Sequence, residues 1–152
     1  MIASTLLRPA GALFLIGSAA LVITGAGAKS RPNTFVAVLN AGQLVPSTAD
    51  NSFGVGFGTL EPDGMFCFSL SYSLEGDEDL AHIHGPALPG TNAGVRWDLE
   101  VSAPKQACVG PLTKNEKKNL RGGLYYFVVH TADGLGRGGI RGQIVPVVAP
   151  GT

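Results

Sequence analysis

Apolar and polar residues alternate with a period of two along most of the chain, which predicts β-strands. In residues 66–74, phenylalanine, leucine and tyrosine alternate with cysteine and serine, so this run predicts a strand with one core-facing side. Residues 51–60 alternate phenylalanine and valine with glycine, which leaves that strand one nearly bare face. Residues 61–64, Glu-Pro-Asp-Gly, have the composition of a tight turn. These three segments together predict a β-hairpin.

The same pattern predicts six further strands and one helix. Thr113 and Glu116 have the spacing of a helix capping box, which predicts a short helix at 114–120. Eight short strands with so little helix are typical of an all-β fold, and we expect an antiparallel Greek-key β-sandwich or barrel. The alternations leave few apolar faces without a partner, so no docking surface is predicted. The further strands are predicted at residues 34–39, 80–84, 95–101, 108–112, 124–131 and 140–148.

The first 28 residues have the pattern of a secretory signal. Arg8 is the only charged residue there, and the apolar run of residues 10–23 is too short for a comfortable membrane span. Residues 26–28, Ala-Gly-Ala, form a small-x-small cleavage site. We expect a mature domain of residues 29–152 that is secreted or periplasmic and not associated with a membrane. An uncleaved N-terminal anchor is the alternative.

Charge limits the classes of partner. The 152 residues carry eleven basic and eleven acidic side chains, and 14% of all residues are charged. Nucleic-acid binding requires clustered lysine and arginine to displace phosphate counterions. The composition therefore argues against a nucleic-acid binder.

The predicted export of the protein affects what we expect of its two cysteines, Cys67 and Cys108. An oxidising compartment favours a disulfide between them. Two buried free thiols are the alternative. Metal ligation by this pair is disfavoured, because neither cysteine has CxxC spacing.

The three histidines carry the candidate chemistry. His82 and His84 lie two residues apart on a predicted strand, so both side chains project from the same face. His130 ends another predicted strand and is followed by a glycine-rich loop. Three converging imidazoles would form a trigonal ligand set suited to copper or zinc. Alternatively, the histidines hydrogen-bond to the backbone and bind nothing.

Three segments in order resemble the signature segments of the CHRD domain, a family named after chordin and common in exported microbial proteins. The resemblance covers residues 34–147 and implies an extracellular β-sandwich module. The chain departs from the family pattern at Leu44 and Gly139, where glutamate is usual, and at Val128, where asparagine is usual. The matching segments are residues 81–87 (Ala-His-Ile-His-Gly-Pro-Ala), 126–131 (Tyr-Phe-Val-Val-His-Thr) and 138–144 (Gly-Gly-Ile-Arg-Gly-Gln-Ile), with residues 41–46 resembling the start of the family.

A weaker resemblance is to copper/zinc superoxide dismutase, in which an H-x-H ends the fourth strand and a Val-Val-His ends the seventh. This resemblance implies a superoxide-dismutase-like sandwich and an anion-guiding role for Arg141. Ten residues separate His84 from Val95, where the dismutases have a long loop that carries the bridging histidine and the zinc ligands. We therefore expect neither a zinc site of the dismutase type nor a fourth copper ligand.

The sequence thus predicts a secreted protein with a metal site at His82, His84 and His130, with copper favoured. The alternatives are an extracellular protein-interaction or structural module without a metal and, least favoured, a copper oxidoreductase like superoxide dismutase. Arg141 has a second interpretation, in which its guanidinium caps backbone carbonyls or pairs with an acid such as Asp133.

Overall fold

The computed structural model describes residues 31–100, 105–132 and 139–148. The predicted signal segment, residues 1–28, lies outside the described residues. So do Val101, predicted to end a strand, and Asp133, considered as a partner of Arg141.

Nine strands within these ranges form one antiparallel sheet that is rolled into a nearly closed barrel. The order across the sheet is β5-β4-β7-β8-β1-β2-β3-β6, and β9 pairs with β1. Neighbours such as β4 and β7 are distant in the sequence, as in Greek-key connections. The all-β prediction is confirmed. The strands are β1 Thr34–Asn40, β2 Phe53–Leu60, β3 Phe66–Ser73, β4 Glu78–His84, β5 Val95–Leu99, β6 Lys105–Val109, β7 Tyr126–Thr131, β8 Ile140–Gln143 and β9 Val145–Pro146, with a 3₁₀ turn at Ala41–Gln43 and one helix, α1 Lys114–Arg121.

The predicted hairpin is formed by β2 and β3, and the bare face of β2 points into the barrel. A Cβ on Gly58 would lie 2.5 Å from the ring of Phe66, and one on Gly56 would lie 2.7 Å from a methyl group of Leu70. Neighbouring side chains therefore fill the space beneath β2. The alternating apolar residues point outward, and Phe53 and Phe57 are 62% and 58% exposed. The prediction that few apolar faces lack a partner is thus wrong for β2.

The predicted strand at 108–112 is shifted toward the N-terminus, since β6 spans Lys105–Val109. Gly110 adopts a positive φ of 123°, and Pro111 has no N–H to donate to a neighbouring strand. These two residues end the strand.

The predicted strand at 140–148 is divided into β8 and β9 at Ile144. The N–H of Ile144 donates to the carbonyl of Tyr125, at 2.9 Å, rather than continuing a ladder. The break lets β8 pair with β7 while β9 pairs with β1. The strand predicted at 124–131 begins two residues later, at Tyr126.

The helix prediction is confirmed, together with its capping box. The Thr113 hydroxyl accepts a hydrogen bond from the Glu116 N–H at 3.3 Å, and a Glu116 carboxylate oxygen accepts one from the Thr113 N–H at 2.8 Å. Glu116 also accepts a hydrogen bond from Arg96 of β5, which attaches the helix to the sheet. No helix in the described ranges is long and apolar enough to cross a membrane.

Packing of the barrel interior determines which side chains of β4 and β7 face outward. Ala81 and Ile83 of β4 and Phe127 and Val129 of β7 are buried in the hydrophobic core. Because side chains alternate along a strand, the residues between them lie on the outer surface of the barrel. All three histidines occupy such positions.

The two cysteines lie opposite each other on β3 and β6. Their Sγ atoms are 2.05 Å apart, which supports the predicted disulfide. The bridge lies on the outer surface and joins the edge strand β6 to the rest of the sheet.

Candidate metal centre

The pairing of β4 with β7 brings the three histidines together. In this ladder His82 lies opposite Val128, and His130 lies opposite Leu80. His130 is therefore the diagonal neighbour of His82, a separation that long side chains can bridge across a sheet. Sequence spacing alone did not determine that these two strands are neighbours.

The imidazole rings of His82, His84 and His130 form a compact cluster. Their centroids are 5.3 Å apart for His82 and His84, 5.4 Å for His82 and His130, and 6.4 Å for His84 and His130. One nitrogen from each ring lies within 4.8 Å of the other two. A single point therefore lies within about 2.8 Å of all three nitrogens, compared with about 2 Å for a metal–imidazole bond. Small side-chain adjustments would complete a trigonal site.

Hydrogen bonding orients His84 for ligation. Its Nδ1 lies 3.0 Å from the carbonyl oxygen of Ala93. A carbonyl can only accept, so Nδ1 carries the proton and the lone pair resides on Nε2. That Nε2 is buried and has no hydrogen-bond partner. The backbone of the β4–β5 loop therefore holds the ring in the tautomer that a metal ligand requires.

His82 is oriented by its other ring nitrogen. Its Nε2 lies 3.5 Å from a carboxylate oxygen of Asp98 on β5, while its Nδ1 is buried without a hydrogen-bond partner. A carboxylate behind a ligating imidazole is a common arrangement at metal sites, because it fixes the orientation of the ring.

The electrostatic surroundings keep His84 neutral. Burial is the main cause that lowers the pKa of His84 below its ordinary value of 6.5. The hydrogen bond to Ala93 opposes this shift, and electrostatic interactions with the neighbouring His82 and Arg141 lower the pKa of His84 further. A neutral imidazole is the form that binds a metal.

The β4–β5 connection, residues 85–94, contacts His84 and lines the cavity beside His84 and His130, and it is called the covering loop. The Ala93 N–H donates to the hydroxyl of Tyr126 at 2.8 Å, and the Asn92 side chain donates to the carbonyl of Val45 at 2.8 Å. These hydrogen bonds tie the loop to the outer surface of the barrel beside His84. The short connection therefore forms one wall of the site.

Arg141 holds the covering loop in place. Its guanidinium donates to the carbonyl of Thr91 at 2.9 Å and to the Asn92 side chain at 3.4 Å, and it stacks 3.7 Å above the ring of Tyr126. The residue is 2% exposed. The interpretation that Arg141 caps backbone carbonyls is confirmed, whereas an anion-guiding role stays a prediction.

The comparisons with known proteins identify the family. The family model for the CHRD domain matches residues 35–144, which is well over half of the chain. The chain belongs to the CHRD domain family. CHRD domains are extracellular protein-interaction modules, and the predicted resemblance to this family is confirmed. No curated protein and no solved structure gives a significant match, so the weaker resemblance to superoxide dismutase stays a prediction.

Two departures of this CHRD domain from the family pattern lie beside the histidines. Leu44 and Val128 help to line a cavity of about 260 Å³ that opens onto His84 and His130. Both are apolar where the family pattern has a polar residue. The third departure, Gly139, has a positive φ of 106°, and a Cβ there would lie 1.9 Å from the carbonyl oxygen of Val129. This backbone excludes a larger residue at that position.

Tyr126 is a residue of the site that the sequence analysis missed. Its ring stacks on His84, with centroids 5.3 Å apart and an interplanar angle of 12°, and the Arg141 guanidinium lies 3.7 Å from the centre of the same ring. Because alternate residues of a strand share a face, the four-residue spacing from His130 would have placed Tyr126 on the same face of β7 as this histidine of the CHRD domain. Gln143 was missed in the same way, and its amide donates to the carbonyl of Ala87 in the covering loop at 3.0 Å.

Proposed function

We propose that this CHRD protein is exported and binds one copper ion, as Cu(I), through His82, His84 and His130. The observation that carries the proposal is the convergence of three imidazole nitrogens within 4.8 Å of one another. Cu(I) accepts low coordination numbers, and imidazole is a suitable copper ligand.

The charge of the site favours a monovalent ion. Imidazoles bind a metal in their neutral form, and within the described part of the chain no carboxylate or thiolate belongs to the group of three histidines. The cost of transferring an ion from water into a less polar site increases with the square of its charge. The buried Arg141 guanidinium adds a positive charge nearby, which opposes a divalent ion more than a monovalent one. The apolar side chains of Leu44 and Val128 in the cavity wall also favour a monovalent ion over a divalent one, because they make the site less polar.

Zinc and a redox cycle fit the site less well. Tetrahedral Zn²⁺ would require a fourth ligand from solvent in the cavity. Cycling to Cu(II) favours a fourth, tetragonal ligand, and the ten residues of the covering loop contain no histidine. That loop is held by contacts to Arg141, Tyr126 and Val45. We therefore propose a copper-binding protein rather than a dismutase.

The test is a metal titration of the protein isolated after expression of the full-length chain. The apo-protein is titrated with Cu(I) in competition with a chromogenic chelator, and separately with Cu(II) and Zn²⁺. We expect saturation at one Cu(I) per chain. His82→Ala and His130→Ala should each lower the Cu(I) affinity at least 100-fold, because two imidazoles cannot form the trigonal site.

Ser71→Ala, an exposed substitution on β3, is the matched control and should bind Cu(I) like the wild type. Tighter binding of Zn²⁺ than of Cu(I) under competition would overturn the choice of metal. Absence of saturable binding, or equal binding in both histidine variants, would exclude the site. That result would favour the alternative of an extracellular interaction or structural module without a metal.

A further inference from the structure

A row of apolar side chains lies on the outside of the barrel, remote in sequence from the histidines. Phe53, Val55 and Phe57 of β2 are 62%, 43% and 58% exposed, and Val38 of β1 is 64% exposed. Val38 lies opposite Val55 in the β1–β2 ladder. We call the outward side of β1, β2, β3 and β6 the β2 outer face.

The monomer does not bury these side chains. Three of the four inward positions of β2 are glycines, and Leu70, Phe66, Phe127 and Ile140 fill the interior space beneath them. Most strands at a barrel surface place apolar residues inside and polar residues outside. In β2 this order is reversed, and two exposed phenylalanines contribute little to the stability of the isolated chain. The reversal indicates that the face is buried by association.

The β2 outer face also carries no ionisable group. A charged partner surface would leave its charges unpaired on such a face, whereas an equally uncharged surface could be buried without that cost. The face itself supplies such a surface. Its outward residues are Thr34, Val36, Val38 and Asn40 of β1, Phe53, Val55, Phe57 and Thr59 of β2, Cys67, Ser69, Ser71 and Ser73 of β3, and Gln106 and Cys108 of β6.

We propose that the β2 outer face binds a second copy of this chain and forms a two-fold symmetric dimer. The order Phe53, Val55, Phe57 reads the same in both directions around Val55. A two-fold axis beside Val55, running across the strands, therefore places Phe53 of one copy above Phe57 of the other, and the reverse. The two sheets would pack face to face about 10 Å apart, as in β-sandwiches.

A hollow on the same face fits this arrangement. It is a shallow, open depression of about 510 Å³ beside Phe57, bordered by Thr59, Ser69 and Gln106. Phe53 is about 13 Å from Phe57 along the strand, given about 3.3 Å per residue. The symmetry brings the Phe53 ring of the second copy to this hollow. Each subunit would thus place its Phe53 ring in the depression of the other subunit, one at each end of the interface.

The area of the β2 outer face determines how strong a dimer we expect. Four strands about 4.8 Å apart and between five and eight residues long present about 440 Å² in flat projection, at about 3.3 Å per residue. A standard interface buries about 800 Å² of accessible surface per partner. We therefore expect a weak dimer with a dissociation constant in the micromolar range.

Sedimentation velocity of the isolated, metal-free protein over about 1 to 500 µM tests the proposal. The wild type should change from monomer to dimer with increasing concentration. Val55→Lys should weaken dimerisation at least tenfold, because each copy would bring an ammonium group close to the same group of its partner near the axis. Val38→Lys changes a more exposed position of the same face and should also weaken dimerisation.

Leu88→Lys is the matched control, since Leu88 is 66% exposed but lies on the covering loop. It should dimerise like the wild type. A wild-type protein that remains monomeric at every concentration overturns the proposal, whether or not another partner covers the face. Equal dimerisation of Val55→Lys, Val38→Lys and the wild type, with the fold verified by circular dichroism, also overturns it. Copper binding is measured separately and should not differ between Val55→Lys and the wild type.

Discussion

Individual side chains explain how a loop of ten residues is held beside the histidine cluster. Tyr126 contacts both His84 and Arg141, so the orientation of a candidate ligand depends on a residue two strands away. Arg141 in turn donates to the backbone of Thr91, which positions the loop that supplies the Ala93 carbonyl. The histidine cluster is therefore supported by a continuous set of contacts from β8 to the covering loop.

Replacing Arg141 with lysine tests this support. A lysine has one charged nitrogen and cannot stack flat on Tyr126 while donating to Thr91 and Asn92. We expect Arg141→Lys to lower the free energy of unfolding by about 1–3 kcal/mol, the range for losing hydrogen bonds to a buried charged group. Chemical denaturation measures this difference. The exposed Arg31→Lys is the control and should change stability little; equal effects of the two substitutions would contradict the assignment.

At the scale of elements, β2 shows how glycine can determine which side of a strand faces the core. Gly58 lies against the ring of Phe66, which is itself buried against Phe35 and Phe68. A strand register that placed phenylalanine inward would have no room for it. The packed interior therefore leaves only outward positions for Phe53 and Phe57.

The substitution Gly58→Ala measures how tightly this interior is packed. The added methyl group would lie 2.5 Å from a ring carbon of Phe66, which has no free space to move into. We expect a loss of about 1–3 kcal/mol of stability, typical of overpacking in a core. Gly94→Ala is the control, because a Cβ there meets no heavy atom within 4 Å. A thermal unfolding midpoint for Gly58→Ala that equals the midpoint of Gly94→Ala would refute the packing argument.

Helix α1 provides a test with pH. Burial acts to raise the pKa of Glu116, but hydrogen bonds from Thr113 and Arg96 and the charge of Arg96 lower it overall, below its ordinary value of 4.5. The unfolded chain therefore binds the proton at a higher pH than the folded chain does. The stabilisation by Glu116 is present above about pH 4.5 and is lost as the pH falls through the lower, folded-state pKa.

Glu116→Gln should accordingly be less stable than the wild type at pH 7, and the difference should decrease as the pH is lowered below about 4.5. Thermal unfolding between about pH 3 and pH 7 would show this convergence. Asp79→Asn, an exposed carboxylate on β4, should give a curve parallel to that of the wild type. A constant difference between Glu116→Gln and the wild type at all pH values would argue against the electrostatic explanation.

The elements themselves were largely predictable, because the period of two and the capping box are local signals. The β2–β3 hairpin and α1 appear where the pattern places them. Errors arose where long-range pairing decides the boundary. Residues 140–148 read as one strand, but the pairing with β7 ends before Ile144, whereas β1 pairs with both β8 and β9. The outward face of β2 was also missed, since alternation alone does not tell which side is the interior.

For the whole molecule, the sequence predicted the candidate ligands but not their convergence. His82 and His84 share a face by strand geometry, whereas His130 joins them because β7 pairs with β4 rather than with any other strand. Strand order depends on packing of the entire barrel, which no short segment encodes. The hydrogen bonds of Arg141 to the covering loop link residues about 50 positions apart and are equally invisible to local patterns.

The disulfide acts on the stability of the whole chain. Cys67 and Cys108 are 41 residues apart, and the loop they close contains β4, β5 and two of the three histidines. In the chain-entropy treatment, a cross-link of this length restricts the unfolded chain and stabilises the fold by up to roughly 4 kcal/mol. The bridge also attaches β6, an edge strand whose ladder partner among the described strands is β3.

Reduction of the metal-free protein should therefore lower the free energy of unfolding by about 2–4 kcal/mol and increase the denaturant m-value, because the unlinked chain exposes more surface on unfolding. Urea denaturation with and without a thiol reductant measures both quantities. The double variant Cys67→Ala/Cys108→Ala should match the reduced wild type and should not respond to reductant. If the reductant destabilised the double variant as much as the wild type, the effect could not be assigned to the bridge between β3 and β6.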